Sequence, residues 1–281
     1  MIQDSNLQFD TRGLEKFSLV EWPGKMTAII FTGGCNFRCP FCHNPELVTD
    51  LDKTPIYPWE EIDKFLDKKK GWIDAIMITG GEPTIHPDLL KILKIIKDKG
   101  YLTGIATNGS NPEMIKELID EALVNKICMD IKSSIENYPI ACGQPIMLSS
   151  WPLSRDPEKD FKILSGSSGR RSPTSTLPEN DKKSGGHLIE LIKNSIEIIK
   201  NSGIEYEFKL TVVPDIVTKE DIPKIGEMIK GAKKIVLQQF RPLKTLDKSY
   251  QSKVPHCRDE IIEMAKELEK YVEEVNLDFI D

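Results

Sequence analysis

What most limits the fold of this chain is a strand–helix alternation repeated six times. Short apolar or β-branched runs fall at Met26–Phe31, Trp72–Ile78, Tyr101–Ala106, Lys126–Ile131, Glu205–Val213 and Lys233–Phe240. Amphipathic stretches follow them at Pro58–Lys69, Pro87–Lys99, Pro112–Leu123, Leu188–Ser202, Lys219–Lys230 and Asp259–Val275. In Pro87–Lys99 the residues Leu89, Leu90, Ile92, Leu93, Ile95 and Ile96 fall on one broad face, as a helix against a core requires. Pro87 and Pro112 stand near first turns, where a missing N–H costs little. Gly100, Gly203 and Gly231 stand where left-handed C-terminal caps are needed. Near-continuous apolar strands alternating with helices predict a parallel sheet covered by helices, an α/β fold. Six units are too few for a complete eight-fold barrel, so the expectation is a partial (β/α)6 TIM-like barrel, open on one side. A doubly wound sheet is the alternative.

The 281 residues are read as a single domain, 1–281, with one interruption. Residues 149–186 hold 9 Ser, 4 Pro and 4 Gly among scattered charges, and this composition predicts a disordered insertion. A net charge of −6 gives no general basic field, so nucleic-acid binding is not expected. No apolar run approaches the roughly 18–20 residues of a membrane span, and the acidic start does not read as a secretory signal. A cytoplasmic location is expected.

In that compartment clustered cysteines point to metal or redox chemistry rather than disulfides. Cys35, Cys39 and Cys42 have Cys-x3-Cys-x2-Cys spacing directly after the first strand. Three thiolates on one short loop can ligate three corners of a cubane cluster and leave one iron open. A zinc site with His43 as fourth ligand is the bland alternative, but no second ligand pair exists in the sequence. Cys128, Cys142 and Cys257 are far apart in sequence and read as ordinary thiols.

Further polar motifs stand at strand ends. Thr79-Gly80-Gly81-Glu82 follows the second strand; its glycines permit close backbone approach, and the Glu82 carboxylate can accept from an ammonium group. Thr107 and Asn108 follow the third strand, in a turn signature with Gly109. Asp130 and Lys132, two apart on the fourth strand, share one face. Lys209 lies in the fifth strand and Val213 at its end, and Gln238, Gln239 and Arg241 end the sixth. In parallel α/β barrels the C-terminal rim of the strands is where active sites assemble.

The string FSLVEWPGK…FTGGCNFRCPFCHNPEL, with aromatic Phe41 before the last cysteine, resembles the radical S-adenosylmethionine (SAM) superfamily in its glycyl-radical-enzyme activase branch. It is most like the activating proteins of anaerobic ribonucleoside-triphosphate reductase. The resemblance spans Phe17 to about Ile140 and Leu188 to about Pro242. It implies a [4Fe–4S] cluster on Cys35, Cys39 and Cys42, with SAM on its open iron. It implies SAM contacts from Phe41, from Thr79, Gly80, Gly81 and Glu82 (to the methionine amino group), and from Thr107 and Asn108. Asp130 and Lys132 would face the ribose and carboxylate, Lys209 occupies a basic family position, and Val213 lies where apolar groups pack near the adenine. Ala106 stands where formate-lyase-type activases carry an acidic residue that helps hold a monovalent cation, so a cation site does not carry over. The implied activity is reductive cleavage of SAM to a 5′-deoxyadenosyl radical and hydrogen abstraction from a glycine of the reductase. Reduced ferredoxin or flavodoxin would be the electron donor. Activation of another glycyl-radical enzyme, of the pyruvate formate-lyase type, or radical chemistry on a small molecule such as a deazaguanine precursor are the alternatives.

Overall fold

The computed structural model describes residues 8–143 and 179–279. Eight strands among them form one sheet in the order of the chain: β1 (Thr11–Ser18), β2 (Thr27–Thr32), β3 (Ala75–Gly80), β4 (Leu102–Thr107), β5 (Lys126–Ile131), β6 (Glu205–Val212), β7 (Lys234–Gln239) and β8 (Glu274–Asp278). β1 runs antiparallel to β2, and every later pair is parallel. Strand order follows chain order without reversal, so there is no switch point and the doubly wound alternative is excluded. Six helices make the crossovers: α1 (Trp59–Lys69), α2 (Leu89–Asp98), α3 (Pro112–Asp120), α4 (Glu179–Lys200), α5 (Ile222–Met228) and α6 (Arg258–Leu268).

Each strand divides by its period of two. On β5, Ile127, Met129 and Ile131 enter the main core under the helices, whereas Lys126, Cys128 and Asp130 face the other way. Ile30, Ile78, Ile105, Leu210 and Leu237 repeat the outward pattern from neighbouring strands. Inside, Trp22 from the β1–β2 connection packs with Ile29 on β2, Ala75 and Met77 on β3, and Cys128 on β5. One indole reaches strands this far apart only because the sheet curls around it. At the opposite rim the loop after β2 touches the loop after β7, through Asp247 N–H to Pro40 O at 2.9 Å and the His43 ring stacked on Phe240 at 5.9 Å. In a flat sheet those strands would stand about 24 Å apart. The sheet is a partial barrel, with β1 and β8 unpaired to one another.

Two strands exceed the six expected. β1 carries Glu15, Lys16 and Phe17 exposed on the edge, so it has no apolar run to read. β8 was expected inside a helix reaching Val275; that helix instead ends at Leu268, and Val275 and Leu277 alternate onto the core beside β7. The caps fall as expected, with Gly100, Gly203 and Gly231 at φ 96, 76 and 76°. Pro112 is in the first turn of α3, but Pro87 precedes the Asp88 cap of α2. The insertion expected at 149–186 lies outside the described residues as far as 178; from Glu179 the backbone is already helical. No helix among the described residues is long and apolar enough to cross a membrane.

Candidate active site

β2 ends in Thr32, and Gly33-Gly34 leads into the cysteine loop. Two buried aromatics, Phe37 and Phe41, anchor that loop in the main core. The Arg38 guanidinium donates to the carbonyls of Cys35 and Phe37, and Arg38 N–H donates to Cys142 O at 2.8 Å. Cys42 N–H donates to Cys39 O at 3.0 Å, closing a turn that carries the last two thiols. Cys39 is buried, and Cys35 and Cys42 are half-buried. Burial, with the nearby Glu82 carboxylate, raises the Cys35 pKa, and burial raises that of Cys42. Cys39 moves the other way, because the Cys142 thiol donates to it and the Lys132 ammonium is near. Cys142, which the sequence offered only as an ordinary thiol, is a fully buried neighbour of a candidate ligand.

The loop after β3 is joined to the cysteine loop backbone to backbone. Gly81 N–H donates to Thr32 O and Glu82 N–H to Gly34 O, both at 2.8 Å. A Cβ at Gly81 would lie 1.6 Å from Gly34 O. The close approach that the Gly80-Gly81 pair permits is therefore to the cysteine loop itself. Glu82 is buried: Oε1 accepts from Thr84 N (3.0 Å), Thr84 Oγ1 (2.6 Å) and Thr107 Oγ1 (2.7 Å), and Oε2 from Asn108 N (2.6 Å). Burial raises its pKa, and these donors offset part of the rise. His86, from the same connection, holds Gly33 O through Nε2 at 3.0 Å.

Asp130 and Lys209 are register partners on β5 and β6. Asp130 accepts from Lys132 at 2.8 Å; burial works against the Lys132 charge, but Asp130 and the Cys39 thiolate outweigh it and raise its pKa. Lys209 pairs with Glu21 of the β1–β2 connection at 3.3 Å and with Glu207 at 3.6 Å. Below them Lys126, with 2% of its side chain exposed, lies 3.5 Å from Glu207 and 5.8 Å from the Trp22 ring centroid. A cavity of about 750 Å³ opens at this N-terminal rim among Lys126, Glu205, Glu207 and Lys234, whose charges are matched pairwise. It is remote from the cysteine loop.

Of the residues singled out in the sequence, the fold brings the buried Glu82, Thr107 and Asn108 together with the half-buried Cys35, and Cys39 beside Lys132 and Asp130. Thr79 lends its carbonyl to Thr32 Oγ1 at 3.0 Å. Phe41 and Val213 are buried in the main core. Sequence reasoning missed Asn36, Arg38, His86, Ser110 and Cys142. Asn36 and Arg38 lie between the cysteines and were within reach; the others meet the loop only through the fold.

The donor set suits an iron–sulfur cluster: three soft thiols on one loop, partly or fully withdrawn from water. Among the described residues no three His, Cys, Asp or Glu side chains converge as ligands of one ion, whereas the thiolates of a cubane bind separate irons.

Residues 29–145, which contain the whole of this loop and the ends of β3, β4 and β5, match the family model described as the Radical SAM superfamily. Residues 29–145 form a radical SAM domain. That domain implies a [4Fe–4S] cluster and SAM as cofactors. The chain is 28% identical over 264 residues to a Methanocaldococcus jannaschii protein named, provisionally, a glycyl-radical enzyme activating enzyme, covering 94% of this chain and 93% of the other. It is 24% identical to the pyruvate formate-lyase-activating enzyme of Clostridium pasteurianum, covering 93% and 96%. In fold it matches the solved structure of TYW1 with a lysine–pyruvate adduct bound, at a TM-score of 0.50 and 16% identity over 87% of this chain and 73% of that one.

Proposed function

We propose that this chain activates a glycyl-radical enzyme, and that its partner is an anaerobic ribonucleoside-triphosphate reductase. The observation that carries the reading is the cysteine loop itself, held between the ends of β2, β3, β4 and β5 with Lys132 and Asp130 beside Cys39. Near-complete overlap with two proteins named as activases supports the class of activity. The EWPGK and CHNPEL strings, residues 21–25 and 42–47, support an activase over a radical enzyme acting on a small molecule.

In this reading Cys35, Cys39 and Cys42 would hold the cluster as thiolates, Cys39 already favoured as the anion by Cys142 and Lys132. When bound, the cluster and SAM supply an electron transfer that yields a 5′-deoxyadenosyl radical able to take hydrogen from glycine. Phe37 and Phe41 keep water from the back of the loop. Lys132, held cationic by Asp130, would meet the carboxylate end of SAM, and Asp130 the ribose. Glu82 holds the β3 and β4 loops in place through four donors; with its side chain so engaged, backbone carbonyls of the Thr79–Glu82 segment would receive the methionine ammonium. Reduced ferredoxin or flavodoxin delivers the electron.

The test is electron paramagnetic resonance of purified anaerobic reductase after incubation with reconstituted protein, SAM and dithionite, with pyruvate formate-lyase in parallel. A glycine-centred doublet on the reductase is expected. A doublet only on the formate lyase overturns the choice of partner; 5′-deoxyadenosine formed with no doublet on either overturns the activase reading in favour of a small-molecule substrate.

A further inference from the structure

Behind Cys35 four hydrogen bonds form a closed polar network. Ser110 N–H donates to Asn108 Oδ1 at 2.9 Å, Asn108 Nδ2 donates to Asn36 Oδ1 at 2.9 Å, and Asn36 Nδ2 donates to Ser110 Oγ at 2.7 Å. The fourth runs from Asn108 Nδ2 to Cys35 Sγ at 3.9 Å. Asn108 and Ser110 are buried, each 5% exposed, and Asn36 is half-buried.

The backbone fixes the orientation of both amides. Ser110 N–H can only donate, so the Asn108 atom facing it is the oxygen, and the nitrogen turns toward Asn36 and Cys35. The Asn36 atom facing that nitrogen must then be its oxygen. Asn108 Nδ2 carries two hydrogens: one is taken by Asn36, and the second is left for the Cys35 sulfur. At 3.9 Å the contact is long, and its effect is that of an oriented dipole. A donor aimed at a ligating sulfur favours the more negative, reduced form of a cluster and so raises its reduction potential.

We propose that Asn36 is a positioning residue, which together with Ser110 holds the Asn108 carboxamide toward Cys35 and thereby sets the reduction potential of the cluster bound there. Asn36 touches no reacting atom in this account; it acts through Asn108. The inference rests on the reading of Cys35 as a cluster ligand and deepens it.

The experiment is a redox titration of the reconstituted [4Fe–4S] protein, with iron and sulfide content measured on each sample. Asn36→Leu keeps the volume and removes the anchor, and its midpoint is expected below that of the wild type. Ser110→Ala keeps the backbone donor and removes the acceptor of Asn36 Nδ2, and a smaller shift in the same direction is expected. Full iron content with unchanged midpoints in both variants overturns the inference while leaving the cluster assignment standing. If Asn36→Leu does not load, Ser110→Ala decides: an unchanged midpoint overturns the proposal. A wild-type chain that takes up no cluster defeats the underlying reading of Cys35, and this inference with it.

Discussion

The Glu82 carboxylate accepts the Asn108 backbone N–H at 2.6 Å, so the loop after β3 holds the loop after β4 in place. The other oxygen accepts three donors from Thr84 and Thr107. A glutamine here has one oxygen and one NH2, so whichever way it turns, an NH2 opposes a donor. Glu82→Gln is expected to lower stability by about 1–3 kcal/mol, the cost of leaving a buried donor unsatisfied. Urea unfolding measures it, and a variant as stable as the wild type would show that the carboxylate is dispensable to the rim.

Gly81 is a steric requirement rather than a conformational one. A methyl group there meets Gly34 O at 1.6 Å and breaks the Glu82 N–H bond to that carbonyl. Gly81→Ala is expected to part the two loops and reduce the iron bound per chain after reconstitution. Gly186→Ala, with nothing within 4 Å of its added carbon, should bind iron as the wild type does. Equal iron content in both variants contradicts the packing argument.

Stability should fall in mildly acidic buffer. Burial depresses the pKa of His86 and of His43, so both imidazoles stay neutral in the fold, with Nε2 of each on a carbonyl, Gly33 O and Arg241 O. The unfolded chain protonates them near pH 6.5 and there binds more protons than the fold. Their contribution is whole above about pH 6.5 and is lost as pH falls through the depressed folded values. Melting temperatures between pH 7.5 and 5.5 should decline less steeply in His86→Gln than in the wild type. Identical slopes would remove His86 from the account.

Glu207 neutralises a buried set of ammonium groups, Lys126 at 3.5 Å and Lys209 at 3.6 Å. Glu207→Ala leaves those charges without their shared partner, and a loss of about 3–5 kcal/mol is expected, as for a broken buried pair. Glu263→Ala, which breaks the exposed pair with Lys219, should cost far less, because water screens that pair. Comparable losses in the two variants would mean that the inner ion pairs are as well solvated as the outer one.

Much of this molecule can be read from its sequence wherever local pattern and tertiary demand coincide. The six apolar strands β2 to β7 are buried on the helix-facing side and announce themselves in Ile30, Ile78, Ile105, Ile127, Leu210 and Leu237. β1 stays hidden because an exposed edge strand needs no apolar face, and its Glu15-Lys16-Phe17 stretch offers none. β8 hides in the alternation of Val275 and Leu277, directly after a helix whose own pattern runs into it.

The cysteine loop is equally visible, since Cys35, Cys39 and Cys42 are close together in the chain. Its supports are not. Cys142 meets Arg38 and Cys39, and His86 meets Gly33, only once the crossovers have folded. Glu82 is the instructive case. Its position in the TGGEP segment suggested a carboxylate facing a ligand, but the fold surrounds it with donors from Thr84, Thr107 and Asn108. A motif fixes which residues gather at a strand end, not which way each side chain turns.

The central claim is that the thiols of Cys35, Cys39 and Cys42 hold a cluster that cleaves SAM. Anaerobically reconstituted protein, given dithionite and SAM, should form 5′-deoxyadenosine, and Cys39→Ala should form none above background. An undiminished yield from Cys39→Ala would contradict the assignment.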